Sequence, residues 1–125
     1  MATSWAELRE ADTGRVLAAR LEVADTAWKR AIGLMGRAEL TADSGLWLEP
    51  CNGIHTFFLR FPIDVLFLDA GGAVLRAVPN LCPWRIGGPV RGARVVIELP
   101  AGTISAHNIR VGSRLFLQRR PQGTG

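Results

Sequence analysis

The run from His55 to Asp69, HTFFLRFPIDVLFLD, constrains the fold more than any other part of the chain. It is too apolar to lie on a surface. Yet Arg60, Pro62 and Asp64 interrupt it well short of the roughly 20 continuous apolar residues that span a bilayer, so no membrane insertion is expected. Pro62 cannot donate to a strand ladder and belongs at an edge, a bulge or a strand start. The run therefore reads as two strand pieces, His55–Phe61 and Ile63–Asp69, joined by a bend.

The rest of the chain is cut equally short. Fourteen Gly and seven Pro among 125 residues favour strands and turns over long helices. Strands are expected at Trp5–Glu10, Arg15–Ala24, Leu46–Leu48, Ala73–Val78, Arg94–Leu99 and Ser113–Gln118. In the second of these, Leu17, Ala19, Leu21 and Val23 alternate as a buried face. Asp12-Thr13-Gly14 and Asp69-Ala70-Gly71-Gly72 read as hairpin turns. Asp25 can cap a helix whose apolar stripe is Ala27, Trp28, Ile32, Leu34 and Met35, ended by Gly36. Ile104–Asn108 reads as a short helical piece, and Pro79–Arg91, with its three prolines, as the longest loop. These elements predict a mainly β fold, a compact barrel or sandwich of about seven or eight short strands with one short helical insertion. One domain over 1–120 is expected, followed by a disordered tail at 121–125.

Charge is uneven. Residues 1–69 carry seven basic and ten acidic side chains, whereas 70–125 carry eight Arg and a single acid, Glu98. The cationic half suits an anionic partner. No run of basic residues interleaved with aromatics is present, so nucleic acid ranks below a protein or small ligand. The start, MATSWAELREADTG, has no basic stretch followed by an apolar run. A signal peptide is not expected, and a cytoplasmic location with Cys51 and Cys82 as reduced thiols is.

Few groups carry chemistry. Cys51 and His55 stand four apart, too few for a zinc site, and Cys82, His107 and Asp64 are scattered; no metal or cofactor is expected. A thiol nucleophile is the alternative, with His55 activating Cys51 and Asp64 orienting the imidazole. The simpler reading makes Cys51 a small buried hydrophobe and His55 a half-buried ring. In an extended His55–Phe61, His55 shares a face with Phe57, Leu59 and Phe61, while Arg60 lies on the other. Asp64 needs a cation, and Arg30 or Arg37 is the preferred partner. Glu98 is expected to pair with Arg94 or Arg114; unpaired in a cleft, it would be a general-base candidate. Trp84, in the Pro/Gly loop, is the aromatic most expected to be exposed.

Several ordered segments resemble one family. RAIGLMGR is similar to an Arg-x-x-Gly-Leu-Met-x-Arg signature on Arg30, Gly33, Leu34, Met35 and Arg37. FFLRFPIDVLFLDAGGAVL, VVIELPAGT and IRVGSRLFL follow it, with Glu98 and Gly102 in matching places. Together they resemble the uncharacterised family catalogued as domain of unknown function 192, across roughly residues 15–118. Leu59 stands where that family often has methionine, and Ser113 where it often has aspartate. The resemblance implies a compact β-rich fold with a short helical insertion and no established activity. The functional expectation is a small binding module for a peptide, polar small ligand or protein partner. Its ligand would be held by Arg37, His55, Arg60, Asp64 and Trp84. The alternative is a hydrolase or thiol-dependent transferase using Cys51 and His55.

Overall fold

The computed structural model describes residues 5–24, 37 and 39–119. Nine strands and one short helix are found there: β1 (Trp5–Glu10), β2 (Val16–Ala24), β3 (Ser44–Leu48), β4 (Ile54–His55), β5 (Ile63–Leu68), β6 (Val74–Leu81), β7 (Ile86–Gly87), β8 (Val95–Pro100), α1 (Thr103–His107) and β9 (Leu115–Arg119). Seven strands form one sheet in the order β6-β5-β8-β3-β2-β1-β9, and β4 pairs with β7 in a second sheet of two. β2 and β3 run parallel, and the other pairs are antiparallel. The expected mainly β architecture is present. The helix expected from Asp25 to Gly36 and the tail at 121–125 lie outside the described residues.

The large sheet curls until its edge strands meet. Ala73, just before β6, bridges Arg114, just before β9. Around that bridge Val74 N–H donates to Ser113 O at 2.8 Å, and Leu115 N–H donates to Gly72 O at 2.9 Å. Gly72 is required here: its φ is +89°, and a Cβ would fall 2.3 Å from Leu115 O. One bridge joins the two edges, so the sheet is a curled layer and not a continuously closed barrel.

Each face of the sheet packs its own core. The concave side gathers Leu8, Leu17, Ala18, Leu21, Val23, Trp47, Leu66, Leu68, Ile97, Leu99 and Leu115. The convex side gathers Ala24, Leu46, Leu48, Ile63, Val65, Phe67 and Val96, with Leu59 and Val90 packed on them from the loops. β5 is buried along its whole length, which explains why its sequence is continuously apolar apart from Asp64.

Two local expectations change. Ala18, not Ala19, joins the concave core, because the β1–β2 register shifts between Ala6 and Leu8 and again between Leu8 and Arg9. Such bulges change which residues face inward. The strand expected over His55–Phe61 ends at His55, and a turn follows at Phe57 and Phe58. The loop expected at Pro79–Arg91 is also partly strand, since β6 runs on to Leu81 and β7 lies within it.

Candidate functional site

Residues 50–62 and 82–94 form the layer over the convex core, and the β4–β7 pair sits within it. Ile54 pairs with Gly87, and His55 with Ile86. Next in sequence is Thr56, fully buried. Its N–H donates to Arg85 O at 2.8 Å, and its carbonyl accepts from Trp84 N–H at 3.0 Å and Leu59 N–H at 3.2 Å. Its hydroxyl donates to Cys82 O at 2.7 Å and accepts from Arg85 N–H at 2.8 Å. One threonine thus satisfies backbone groups from both loops and holds them together. Close approach further along tightens the layer: Val90 N–H donates to Asn52 O at 2.9 Å. Gly88, at φ +81°, leaves no room for a Cβ beside that carbonyl.

This stitching decides where the aromatics go. Phe58 has φ +68° and Trp84 φ +65°, a backbone region costly for bulky residues. Both rings are turned outward, 61% and 56% exposed, beside Ile86 at 68%. The rings touch in a chain. His55 stacks on Phe57 with centroids 4.9 Å apart, Phe57 on Trp84 at 5.7 Å, and Phe58 tilts against Trp84 at 4.8 Å. Arg85 Nη1 donates to Trp84 O at 3.4 Å. Arg60, two residues past Phe58, is exposed. A cluster of exposed aromatic and aliphatic groups, held on a backbone that would relax without support, can grip an apolar side chain with little ordering cost.

The structure brings some of the sequence-derived residues together and separates others. His55 and Trp84 meet through Phe57, and Arg60 leaves the same loop. Cys51 lies half-buried before β4, its Sγ donating to Gly53 O at 3.1 Å. His55 Nδ1 accepts from Phe57 N–H at 3.2 Å. The expected face shared by His55, Phe57, Leu59 and Phe61 does not form. The turn at Phe57–Phe58 breaks the alternation, burying Leu59 and exposing His55.

Asp64 and Arg37 lie elsewhere. Asp64 is fully buried and takes no arginine partner among the described residues. Its Oδ1 accepts from Asn80 N–H at 2.8 Å, and its Oδ2 from Gly102 N–H at 3.1 Å and Ile104 N–H at 2.8 Å. Backbone amides from β6 and the start of α1 hold the carboxylate and pin both to β5; Arg30, one of its two expected partners, lies outside the described residues. Arg37 Nη2 instead donates to Glu22 Oε2 at 2.8 Å.

Glu98 departs furthest from expectation. Arg94 reaches Glu49, at 3.9 Å, and Arg114 donates to Gly71 O at 2.9 Å, so neither expected partner serves it. Its side chain emerges on the convex face, in register with Leu46 on one side and Val65 on the other. It is 4% exposed, and Oε1 has no hydrogen-bond partner among the described residues. Burial pushes the carboxyl up to about 7, against the pull of the Arg37 charge. The sequence signal was a lone acid in VVIELP, a strand apolar on both faces. Thr56 and Ile86 carried no such signal, because their roles come from the partner loop.

Among the described residues no group of three or more His, Cys, Asp or Glu side chains is placed to hold a metal. No helix there is long and apolar enough to cross a membrane.

Comparison with known proteins places this geometry. The family model of domain of unknown function 192 (DUF192), described as "Uncharacterized ACR", matches residues 8–117. A UPF0127 protein of Thermococcus sibiricus is 34% identical over 110 residues, covering 82% of this chain and 68% of that protein. A solved structure from Sinorhizobium meliloti 1021, provisionally described as a transcription regulator, superposes with a TM-score of 0.79. It is 26% identical, with 93% of this chain and 94% of that chain covered. A protein of unknown function from Novosphingobium aromaticivorans shares the fold at a TM-score of 0.74. Its identity is 22%, and the match covers 90% of this chain and 83% of that one. The chain belongs to the DUF192 family, to whose model it matches from the first strand to the last.

Proposed function

We propose that this domain is a non-catalytic binding module whose recognition face is the cluster His55, Phe57, Phe58, Trp84 and Ile86, with Arg60 and Arg85 at its margin. One observation carries the reading: Thr56 ties two loops so that Phe58 and Trp84, both at positive φ, present their rings to solvent. Strain of this kind persists only where the surroundings impose it, and exposed aromatics held rigid are typical anchors of protein interfaces. Asp64 and Arg37 have no part in that face. The cytoplasm suits Cys51 and Cys82, which form no disulfide with each other.

The thiol-enzyme alternative has less support. The His55 ring is committed to Phe57, by stacking and by the bond to its N–H, whereas an activated thiol needs an imidazole turned toward it.

The test is affinity capture from a native extract with wild type and a Phe58→Ser, Trp84→Ser double variant. Each protein retained by the wild type is then purified and its binding to both forms measured directly. The expected result is a direct partner whose affinity falls at least tenfold with the double variant. Equal affinity for both forms overturns the proposal.

A further inference from the structure

The charge around the aromatic cluster narrows what it can hold. Residues 50–62 and 82–94 contain four arginines, Arg60, Arg85, Arg91 and Arg94, and no Asp or Glu. All four are exposed. Elsewhere Arg9 meets Glu7, Arg15 meets Glu10 and Arg37 meets Glu22, while Arg20, Arg76, Arg110 and Arg114 have no ion pair among the described residues; what sets this layer apart is that it holds no acid of its own. In this layer Arg94 reaches Glu49 only at 3.9 Å, and Arg60, Arg85 and Arg91 have no ion pair among the described residues. A face that is apolar at its centre and uniformly cationic at its margin repels basic partners and is completed by acid from outside.

We infer that the occupant is an acidic segment of a partner protein. It lays an aromatic or long aliphatic side chain against Phe58, Trp84 and Ile86, and places Asp or Glu against Arg60 and Arg85. The inference rests on the reading of this cluster as a binding face and adds the partner's chemistry. Arg85 suits the role because its guanidinium is drawn back onto the Trp84 carbonyl, which keeps the cation beside the ring it would complement. Single-stranded nucleic acid, the other polyanion, fits less well. Bases stack on open ring faces, whereas Phe57 lies between His55 and Trp84, and Phe58 rests against Trp84. The most exposed apolar group, Ile86, is aliphatic.

Selection of random peptides displayed on phage, on immobilised wild type with counter-selection on the Phe58→Ser, Trp84→Ser variant, separates the outcomes. Synthetic copies of the selected peptides, and a dT oligonucleotide of equal length, are then titrated against wild type and an Arg60→Glu, Arg85→Glu variant. Circular dichroism melts confirm that both variants stay folded. The expected peptides are rich in Asp and Glu around an apolar residue, and they lose at least tenfold in affinity with the charge-reversal variant. Peptides that need Phe58 and Trp84 but carry no acidic bias overturn this inference and leave the binding face standing. Oligonucleotide binding that exceeds peptide binding and is lost with charge reversal overturns it in favour of nucleic acid. A selection that yields no peptide dependent on Phe58 and Trp84 overturns both readings.

Discussion

Thr56 and Arg85 bind each other in both directions: Thr56 N–H donates to Arg85 O at 2.8 Å, and Arg85 N–H donates back to Thr56 Oγ1 at 2.8 Å. Thr56→Val keeps the shape and removes the hydroxyl, leaving the Arg85 N–H and the Cys82 carbonyl short of a partner. Buried groups left unsatisfied cost about 1–3 kcal/mol each. The expected loss of stability is about 2–4 kcal/mol by urea denaturation. Thr56→Ser, which keeps the hydroxyl, should lose less than half of that.

Phe58 adopts φ +68° with its ring 61% exposed. Phe58→Gly relieves backbone strain worth about 1–3 kcal/mol, offset by the greater freedom of unfolded glycine, about 1 kcal/mol. The variant should match or exceed wild-type stability by up to about 2 kcal/mol while partner binding falls. A clear drop in its urea midpoint would mean that the ring stabilises the fold and is not held for contact.

Glu98 makes stability depend on pH with a defined sign. Its folded carboxyl titrates at about 7 against 4.5 as the ordinary value. Below pH 4.5 both states hold the proton and the group has no effect. From 4.5 to 7 the unfolded chain releases the proton while the folded chain keeps it, so stability falls as pH rises, by about 3 kcal/mol in all. Above 7 the effect levels off. Glu98→Gln removes this dependence. The stability of the variant minus that of wild type should therefore climb between pH 4.5 and 7 and stay flat above, in urea melts across that range. A difference independent of pH would exclude a raised Glu98.

Asp64 offers its carboxylate to three backbone amides. Asp64→Asn leaves one oxygen for them and turns an NH2 toward at least one N–H. A loss of about 2–4 kcal/mol is expected, with hydrogen exchange accelerating first at Asn80, Gly102 and Ile104. Unchanged exchange at those three amides would contradict the pinning role.

Iodoacetamide gives the check on thiol chemistry. Cys82 is exposed and Cys51 is half-buried, with its Sγ on the Gly53 carbonyl. Cys82 should be alkylated first, with Cys51 slower than a free model thiol, followed by mass spectrometry. Preferential labelling of Cys51 would revive the nucleophile reading.

The strand framework was legible in the chain because burial imposes a period on it. β1, β5 and β8 lie within a residue of their expected places, and the doubly buried β5 announced itself as a run apolar apart from Asp64. His55 and Trp84 were also marked, by residue type and by a loop rich in Pro and Gly. The face that His55 was expected to share with Phe57, Leu59 and Phe61 failed, because alternation was extended through a stretch that leaves the strand after His55.

What the residues alone determined is the set of short strands and the apolar surface they must hide. Only tertiary structure decided the site. Thr56 ends the strand with bonds to a segment 26 to 29 residues away, and no local pattern records a partner at that separation. Asp64 found backbone amides and not Arg37, and Glu98 Oε1 found no hydrogen-bond partner among the described residues. Such assignments depend on which groups the curled sheet brings within hydrogen-bonding reach. Side-chain periodicity sets the face on which a polar group emerges, whereas the packing of distant segments sets what it meets there.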